Sequence, residues 1–564
     1  MSILLDKLFE NRGYSDNYIK EISDSTHNML LDCDKLANEL KVIHDSQELI
    51  VVLPDFDVDG ISSGTIGLAG LAELGFNVGL YVPDPSEGYG FGPKTIDTII
   101  RTYPGVKHII TCDTGITCYE GVSHATALGI HMLITDHHVQ ENNANMLRMR
   151  NEAKVIVNPK RLDETYEHPS ICGAFVLYQC LEYYAMKYES NFYVEQIRRL
   201  RVFAGIGTVS DMMPVVYENR KVLKDAINIC RFIYSNGDDS IVKYISGCDT
   251  YRRVFWGLFR ALAGFAQMGE IACSEDINEE FFGYYFAPCF NSVKRMDGDM
   301  NRTFGVFFGN DPARDFDYLY ELNTRRKNLT KKYLNEINSS EQPYAPYIYI
   351  SDCSAGIAGL LAGNLIKITG LPTIVVSGSP DGTFSGSGRS PEWYTFLDRT
   401  KDVIYAAGHN PAFGVGFKDE ADIRQAFEFL NTDVNVVLSH TVLEDVKPDF
   451  VISMLGDGDI GIDIITFAEF LTEIESLKPF GKGFEKPLGR LRFKAGSCTY
   501  KTIGSANQHL KLTLPMGFEV LLWNAAGEKH RLKNPDAIIQ IDGGLSMNEF
   551  RGIHTVNFVG NFVD

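Results

Sequence analysis

The chain has 564 residues, and its 53 lysines and arginines against 73 aspartates and glutamates give a formal net charge of −20, which by itself argues against a nucleic-acid partner. That length corresponds to about three to five domains, and a hydrophobic content of 45% excludes a mainly disordered chain. No apolar run has the roughly 18–20 residues of a membrane helix, and the eleven cysteines form no C-x-x-C pair, so we expect a soluble, cytoplasmic protein with reduced thiols.

The predicted elements begin with helices and continue as alternating strands and helices. Residues 1–45 carry apolar side chains at near-helical spacing, which predicts a helical N-terminal lead-in. Residues 46–220 alternate short β-branched runs with helical stretches, which indicates βαβ units and a mostly parallel sheet. The predicted strands of this region are residues 49–53, 78–81, 108–111, 132–135 and 155–157.

The second half of the chain continues with three further regions. Residues 221–345 predict a helical connecting region, and residues 346–435 return to alternating strands and helices. Residues 436–564 begin with a helical stretch and continue as short strands separated by Gly, Asn and Pro, which is typical of a small β-barrel. The predicted fold class is therefore α/β: a parallel-sheet domain joined by helices to a smaller α/β domain, with a C-terminal β-barrel.

Aspartate and histidine side chains follow three of the predicted strands, where an open parallel sheet binds its ligands. A single aspartate there is usually a helix cap or part of a turn, but capping does not explain several of them on successive strands. Clustered carboxylates repel one another, and a bound cation offsets that cost. Oxygen ligands with one or two imidazoles suit Mn²⁺ or Mg²⁺, and a carboxylate shared by two ions is an arrangement used for phosphoester hydrolysis. The residues concerned, with one farther along the chain, are Asp55, Asp57, Asp59, Asp113, Asp136, His137, His138 and Asp211.

These residues lie in four short motifs that resemble those of a known family. The motifs are Asp-Phe-Asp-Val-Asp-Gly at 55–60, Cys-Asp-Thr-Gly at 112–115, Thr-Asp-His-His at 135–138 and Gly-Thr-Val-Ser-Asp-Met-Met-Pro at 207–214. Their composition and order resemble the DHH phosphoesterases, and more closely the RecJ family of single-strand DNA exonucleases. The resemblance implies a DHH phosphoesterase domain at 46–220, a DHHA1 substrate-binding domain at 346–435, and a helical connector followed by an OB-fold-like domain within 436–564.

The resemblance also implies a role for each residue of the predicted metal site. Asp55 would hold one divalent cation, Asp57 the other, and Asp113 would bridge the two. His137 and Asp211 would complete the second site.

Three neighbouring residues have supporting or open roles in the same comparison. His138 would face the scissile phosphate rather than a metal, and Asp136 would orient the histidines. For Asp59, a place in the metal site and a cap on the following helix are equally open.

The substrate contacts that the resemblance implies come from two later segments. Arg389 and His409 of the second α/β region would hold the substrate backbone across a cleft from the metal site. Arg295 would add a phosphate contact, while Asn291 would either bind substrate or cap a helix, with equal weight for the two readings. Lys294 stands where the family tends to show glycine, and it offers an extra phosphate contact.

The implied function is metal-dependent 5′–3′ exonuclease activity on single-stranded DNA, with a water activated by two divalent cations, Mn²⁺ ahead of Mg²⁺. Single-stranded DNA is the expected partner, a single-strand-binding protein or a helicase are candidate protein partners, and no membrane is involved. Two alternatives remain open: a DHH phosphodiesterase acting on short oligonucleotides or cyclic dinucleotides, and a non-catalytic scaffold like Cdc45.

Two aromatic residues of the tail are candidates for base stacking. Trp523 and Phe550 lie in predicted strands, a context that favours the hydrophobic core over base stacking for both.

Overall fold

The computed structural model describes most of the chain, and its described residues divide into two compact units. The larger unit comprises residues 27–213 and 222–443, and the smaller comprises residues 1–26, 214–221 and 444–564. The described residues are 2–15, 17–24, 28–84, 87, 90–140, 143–237, 245–441, 447–504, 506–550 and 553–563, with the side chains of 548–550, 553 and 554 excepted.

A five-stranded parallel sheet forms the first part of the larger unit. Its order is β2-β1-β3-β4-β5, so β1 lies between β2 and β3, and the order reverses at this point. Such a reversal opens a crevice at the carboxyl ends of the two central strands. The parallel sheet predicted from the sequence is confirmed. The strands are β1 Ile50–Pro54, β2 Val78–Leu80, β3 His108–Cys112, β4 His131–Thr135 and β5 Val155–Val157.

Helices cover this sheet and continue into a largely helical region, as predicted. The helix Val58–Glu73 is buried along nearly its whole length, which its many small residues permit because they let neighbouring elements approach closely. The helices around the sheet are Cys33–Ser46, Val58–Glu73, Pro93–Thr102, Tyr119–Ala127, Ala144–Glu152, Gly173–Tyr188, Asn191–Arg199 and Arg201–Ser210. Those that follow are Tyr217–Asn236, Asp249–Gln267, Glu279–Phe281, the π-helix Phe282–Phe286, Ala287–Arg295, Asn301–Phe308 and Pro312–Ser339, with a 3₁₀ turn at Ser274–Asp276.

A second, mixed sheet completes the larger unit, in the order β6-β7-β8-β10-β9. Val375 packs with the helix Ala355–Thr369 on one face, and Phe413 packs with the helix Glu420–His440 on the other. Only β6 and β7 run parallel, while the remaining pairs are antiparallel. The elements are β6 Ile348–Ile350, Ala355–Thr369, β7 Thr373–Gly378, β8 Phe384–Arg389, the helix Phe396–Thr400, β9 Tyr405–His409, β10 Ala412–Phe417 and Glu420–His440.

The smaller unit is built on a seven-stranded, mostly antiparallel sheet in the order β11-β12-β16-β17-β15-β14-β13. The first helix of the chain belongs to its core, since Leu4 and Leu8 are buried in one cluster with Phe450 and Phe467. The strands are β11 Phe450–Ser453, β12 Gly489–Lys494, β13 Thr499–Ile503, β14 His509–Thr513, β15 Glu519–Leu522, β16 Ile538–Phe550 and β17 Ile553–Val563. The helices are Ile3–Arg12, Tyr18–Glu21 and Ile464–Leu477, and 3₁₀ turns occur at Ala495–Ser497, Pro515–Gly517 and Ala526–Leu532.

The α/β fold class, with a parallel sheet, a second α/β sheet and a β-rich C-terminal region, is confirmed. The core position predicted for Trp523 is wrong, because its side chain is 52% exposed. The side chain of Phe550 lies outside the described residues. Among the described residues, no helix combines the length and apolarity needed to cross a membrane.

Candidate metal centre

Adjacent strands deliver the predicted acidic residues to one edge of the parallel sheet. Asp55, Asp113 and Asp136 directly follow β1, β3 and β4, which are neighbours in the sheet. Backbone hydrogen bonds continue past the strand ends, because Asp55 N donates to Cys112 O and Asp113 N donates to Thr135 O. Asp113 itself has a left-handed backbone with φ 63°, a conformation unusual for a residue with a side chain. Such a strained position is typical of functional sites.

Among the described residues, three groups of side chains could each hold a metal ion, since the ligand atoms of each group lie within 4.8 Å of one another. Asp113 belongs to two of the groups, and so does His137. The sequence prediction divides Asp55 and Asp57 between two ions, whereas in the structure both contribute to the same group. The groups are Asp55–Asp57–Asp113, Asp113–His137–His138 and Asp59–His137–Asp211.

His137 stands between carboxylates that come from different elements. Its Nε2 lies 3.1 Å from Asp113 Oδ1, 3.5 Å from Asp211 Oδ2 and 3.8 Å from Asp59 Oδ2. Asp211 comes from the C-terminal end of the helix Arg201–Ser210, so this helix completes a site begun by the sheet. The ligand atoms of His137, Asp113, Asp211 and Asp59 therefore lie around the same small volume.

The electrostatics of the cluster fit a bound cation. Burial and the neighbouring Asp57 raise the pKa of Asp55 to about 7, and burial together with the surrounding aspartates raises the pKa of Asp113 well above its usual range. Among the described residues, buried Asp113 Oδ1 and His137 Nδ1 lack hydrogen-bond partners. Ionised carboxylates packed this closely need a counter-charge, and oxygen ligands with imidazole suit Mn²⁺ or Mg²⁺.

The structure contradicts one of the two readings of Asp59, the cap on the following helix. The cap of the helix Val58–Glu73 is Asp57, whose Oδ1 accepts hydrogen bonds from Asp59 N and Gly60 N. The cap prediction for Asp59 is therefore wrong. Its carboxylate instead accepts hydrogen bonds from Gly173 N at 2.6 Å and Ala174 N at 3.0 Å, at the start of another helix. Burial raises its pKa to about 6, with Asp211 and Asp57 contributing in the same direction and His137 opposing.

Asp136 contacts the backbone of both histidines and the ring of His138. Its Oδ1 accepts hydrogen bonds from His137 N and His138 N and lies 2.8 Å from His138 Nδ1. Burial lowers the pKa of His138, but the contact with Asp136 outweighs it and raises that pKa to about 9. The contact with Asp136 therefore favours the protonated form of His138.

One supporting residue was not singled out from the sequence as part of the site. Buried Asn158 donates from Nδ2 to His138 O at 2.9 Å and accepts from Lys160 N at 2.7 Å. It follows β5, the strand next to β4, and so fixes the backbone on which His138 stands. Its position after a predicted strand was the available signal.

The helix Ala287–Arg295 brings three predicted substrate residues to the metal loop, which is the segment 55–58 after β1. Asn291 Oδ1 accepts a hydrogen bond from Val58 N at 3.1 Å, so Asn291 caps a helix other than its own. The Nζ of Lys294 lies 3.3 Å from the ring centroid of Phe56, the residue between Asp55 and Asp57 in the sequence. Burial lowers the pKa of Arg295, and Asp57 opposes that shift through its charge.

Arg295 lies near Asp57 and near two further half-buried arginines. Burial lowers the pKa of Arg389 and of Arg326, and nearby Arg295 lowers both further. Arg326 lies on the helix Pro312–Ser339. Like charges gather in this way where an anion is to be bound, because the guanidinium fork matches phosphate oxygens.

His409 shares a row of the second sheet with Arg389. Arg389 pairs with Ala412, and Ala412 pairs with His409, so the two side chains point to the same face. Two inter-strand spacings put their Cα atoms about 10 Å apart. His409 is exposed at the end of the edge strand β9, which is separated from the Arg389 strand β8 by β10.

Comparisons with known proteins match this architecture. The model of the DHH family, N-terminal domain, matches residues 49–206, and the model of the RecJ OB domain matches residues 457–560. The single-stranded-DNA-specific exonuclease RecJ of Haemophilus influenzae is 24% identical over 608 aligned residues, which cover 100% of this chain and 96% of the relative. RecJ of Bacillus subtilis is 27% identical, with 91% of this chain and 61% of the relative covered.

Solved structures show the same fold. The crystal structure of Thermus thermophilus RecJ in complex with Mn²⁺ has a TM-score of 0.72 at 18% identity and covers 99% of this chain and 75% of that one. The corresponding complex with Mg²⁺ has a TM-score of 0.68 at 18% identity and covers 99% and 74%.

Proposed function

The chain is RecJ-like, with a DHH-family N-terminal domain and a RecJ OB domain, and from this we propose that it is a metal-dependent exonuclease hydrolysing phosphodiester bonds of single-stranded DNA. The observation that carries the proposal is the position of Asp113, whose carboxylate lies within ligand distance of Asp55 and Asp57 on one side and of His137 on the other. The names of the matched relatives, single-stranded-DNA-specific exonucleases, support the substrate class.

We further propose that two divalent cations, Mn²⁺ ahead of Mg²⁺, bind with Asp113 shared between them. Asp55 and Asp57 would serve one position, while His137, Asp211 and Asp59 would serve the other. When bound, such a pair lowers the pKa of an attacking water and neutralises charge on the phosphate.

The remaining side chains would hold and stabilise the substrate. His138, whose protonated form is favoured by its contact with Asp136, would donate to an oxygen of the scissile phosphate as negative charge develops there. Arg295 and Arg389 would hold phosphates of the strand with their guanidinium forks, and Asn291 would keep the helix that carries Arg295 on the metal loop. The reaction needs no covalent intermediate, because water is the nucleophile.

The proposed direction is 5′ to 3′, and it can be tested with the same assay as the activity. Single-stranded DNA labelled at either end is incubated with the protein in Mn²⁺, in Mg²⁺ or in chelator. We expect the 5′ label to be released first as a mononucleotide, the 3′-labelled strand to shorten progressively, and chelator to stop both. Circular single-stranded DNA should stay intact.

Three outcomes would overturn the proposal. The exonuclease assignment fails if neither metal supports cleavage, which would favour a Cdc45-like scaffold, or if only di- and trinucleotides or cyclic dinucleotides are hydrolysed. A requirement for a free 3′ end would leave an exonuclease but reverse its direction.

A further inference from the structure

The helix Ala287–Arg295 places a lysine ammonium beside the most acidic part of the candidate metal centre. Asn291, Lys294 and Arg295 are three and four residues apart, so they share one face of the helix. That face contacts the metal loop, because Asn291 Oδ1 accepts a hydrogen bond from Val58 N. The Lys294 side chain is exposed to solvent, while the Phe56 ring beneath its ammonium is buried.

This charge lies close enough to Asp55 to affect its ionisation. Phe56 separates Asp55 from Asp57, and these two with Asp113 form the one metal-holding group that consists of carboxylates alone. The ammonium of Lys294 opposes the rise of the Asp55 pKa that burial and Asp57 cause. The lysine thus already neutralises part of the charge that a divalent cation would neutralise.

We propose that Lys294 is a resident counter-cation of the Asp55–Asp57–Asp113 group, which opposes divalent-cation binding there until a substrate phosphate pairs with the lysine. The inference rests on the proposed function. A phosphate oxygen can reach the exposed ammonium, and its negative charge would cancel the repulsion between Lys294 and the incoming cation. Substrate and cation would then strengthen each other's binding, because coupling between two sites is reciprocal.

The test measures Mn²⁺ binding to the full chain without DNA, by the loss of the free-Mn²⁺ paramagnetic resonance signal during titration. The structure predicts one tighter and one weaker Mn²⁺ site in the natural chain. Lys294→Met should tighten the weaker site about tenfold, which is the order of effect expected for removing a unit charge several ångströms from a divalent cation. Lys294→Arg should leave both affinities close to those of the natural chain.

A second measurement separates a charge effect from a loss of structure. In chelator, Lys294→Met should bind single-stranded DNA about threefold more weakly. In the Mn²⁺ titration the same variant should bind the cation more tightly, since phosphate and cation respond to the lysine charge with opposite sign. A merely structural role for Lys294 would weaken both. Lys367→Met is the matched control: this exposed lysine lies about 17 Å along its helix from Gly356, which packs on Arg295, and neither affinity should change.

The outcomes distinguish this inference from the proposed function. Unchanged or weaker Mn²⁺ binding by Lys294→Met, with the natural chain binding two ions, would overturn the counter-cation role alone. Failure of the natural chain to bind Mn²⁺ at all would overturn both. Lys294→Gln, which keeps more of the side chain's polarity, repeats the test if the methionine variant does not fold.

Discussion

Among the described residues, Asp113 is the only carboxylate that belongs to two of the three groups that could hold a metal. Asp113→Asn keeps the shape of the side chain and removes its charge. We expect fewer bound Mn²⁺ ions per chain and a loss of cleavage of about a thousandfold, since a metal pair contributes several kcal/mol to phosphoester hydrolysis. Equilibrium Mn²⁺ titration and single-turnover cleavage of single-stranded DNA measure the two effects.

The same substitution at an exposed aspartate supplies the control. Asp317 is exposed on the helix Pro312–Ser339, and Asp317→Asn changes the net charge by the same amount. It should leave both measurements unchanged. Near-normal turnover in Asp113→Asn would show that no shared carboxylate is needed and would refute the two-metal arrangement.

At the scale of elements, three glycines let helices approach the carboxylate cluster. A Cβ at Gly173 would lie 2.5 Å from Asp113 Oδ1, and one at Gly60 or Gly207 would overlap the Asp55 backbone or the Asp59 carboxylate. The helix Gly173–Tyr188 also donates its first backbone N–H groups to Asp59. Its close approach therefore both fills and orders the site.

Gly173→Ala should separate this packing from overall stability. The added methyl group must displace Asp113 or the helix start, so we expect Mn²⁺ affinity to fall at least tenfold while the chain remains folded. Gly363→Ala, also in a helix but with nothing within 4 Å of its Cβ position, is the control. It should keep full metal binding and gain about 0.5–1 kcal/mol of stability from the better helix former. Full Mn²⁺ affinity in Gly173→Ala would show that the close approach is dispensable.

The elements also show what the sequence could predict. Strands β1, β3 and β4 consist of β-branched runs, and their pattern predicted both the sheet and the edge at which the aspartates meet. Strand β8 contains Gly386 and Gly388, which read as turn residues. Here they lie within a strand, and glycine is needed at both positions because a Cβ at Gly386 would overlap Val375 O and one at Gly388 would overlap the Phe413 ring. Contacts of this kind join residues distant in sequence, so local propensity does not reveal them.

The roles of Asp59 and of the first helix could not be predicted from the sequence either, because both depend on contacts between residues far apart in the chain. Helical spacing predicts a helix near the N-terminus, but not that Leu4 and Leu8 pack with residues more than 400 positions away. Likewise, the position of Asp59 before a helix suggests a cap, and only the docking of the helix Gly173–Tyr188 reveals the hydrogen bonds it makes.

At the scale of the whole molecule, the net charge of −20 and a DNA substrate are compatible if binding depends on a local field. Part of the acidity belongs to the candidate metal centre, where divalent cations would neutralise it. The positive charge of Arg295 acts on both Arg326 and Arg389 in the same unit, and Lys294 precedes Arg295 in the chain. A phosphate strand bound there would meet a positive surface in spite of the total.

A pair of arginine variants tests local field against net charge. Arg389→Ala and Arg325→Ala each change the formal charge from −20 to −21. Arg389 is half-buried near Arg295, whereas Arg325 is exposed on the helix Pro312–Ser339. Single-stranded DNA binding in chelator, measured by fluorescence anisotropy over a range of salt concentrations, should change only in Arg389→Ala. The slope of log K against log salt should become shallower by about 0.7, the contribution of one phosphate contact in a single strand. Equal changes in both variants would mean that total charge governs binding, and an unchanged slope in Arg389→Ala would remove Arg389 from the phosphate contacts.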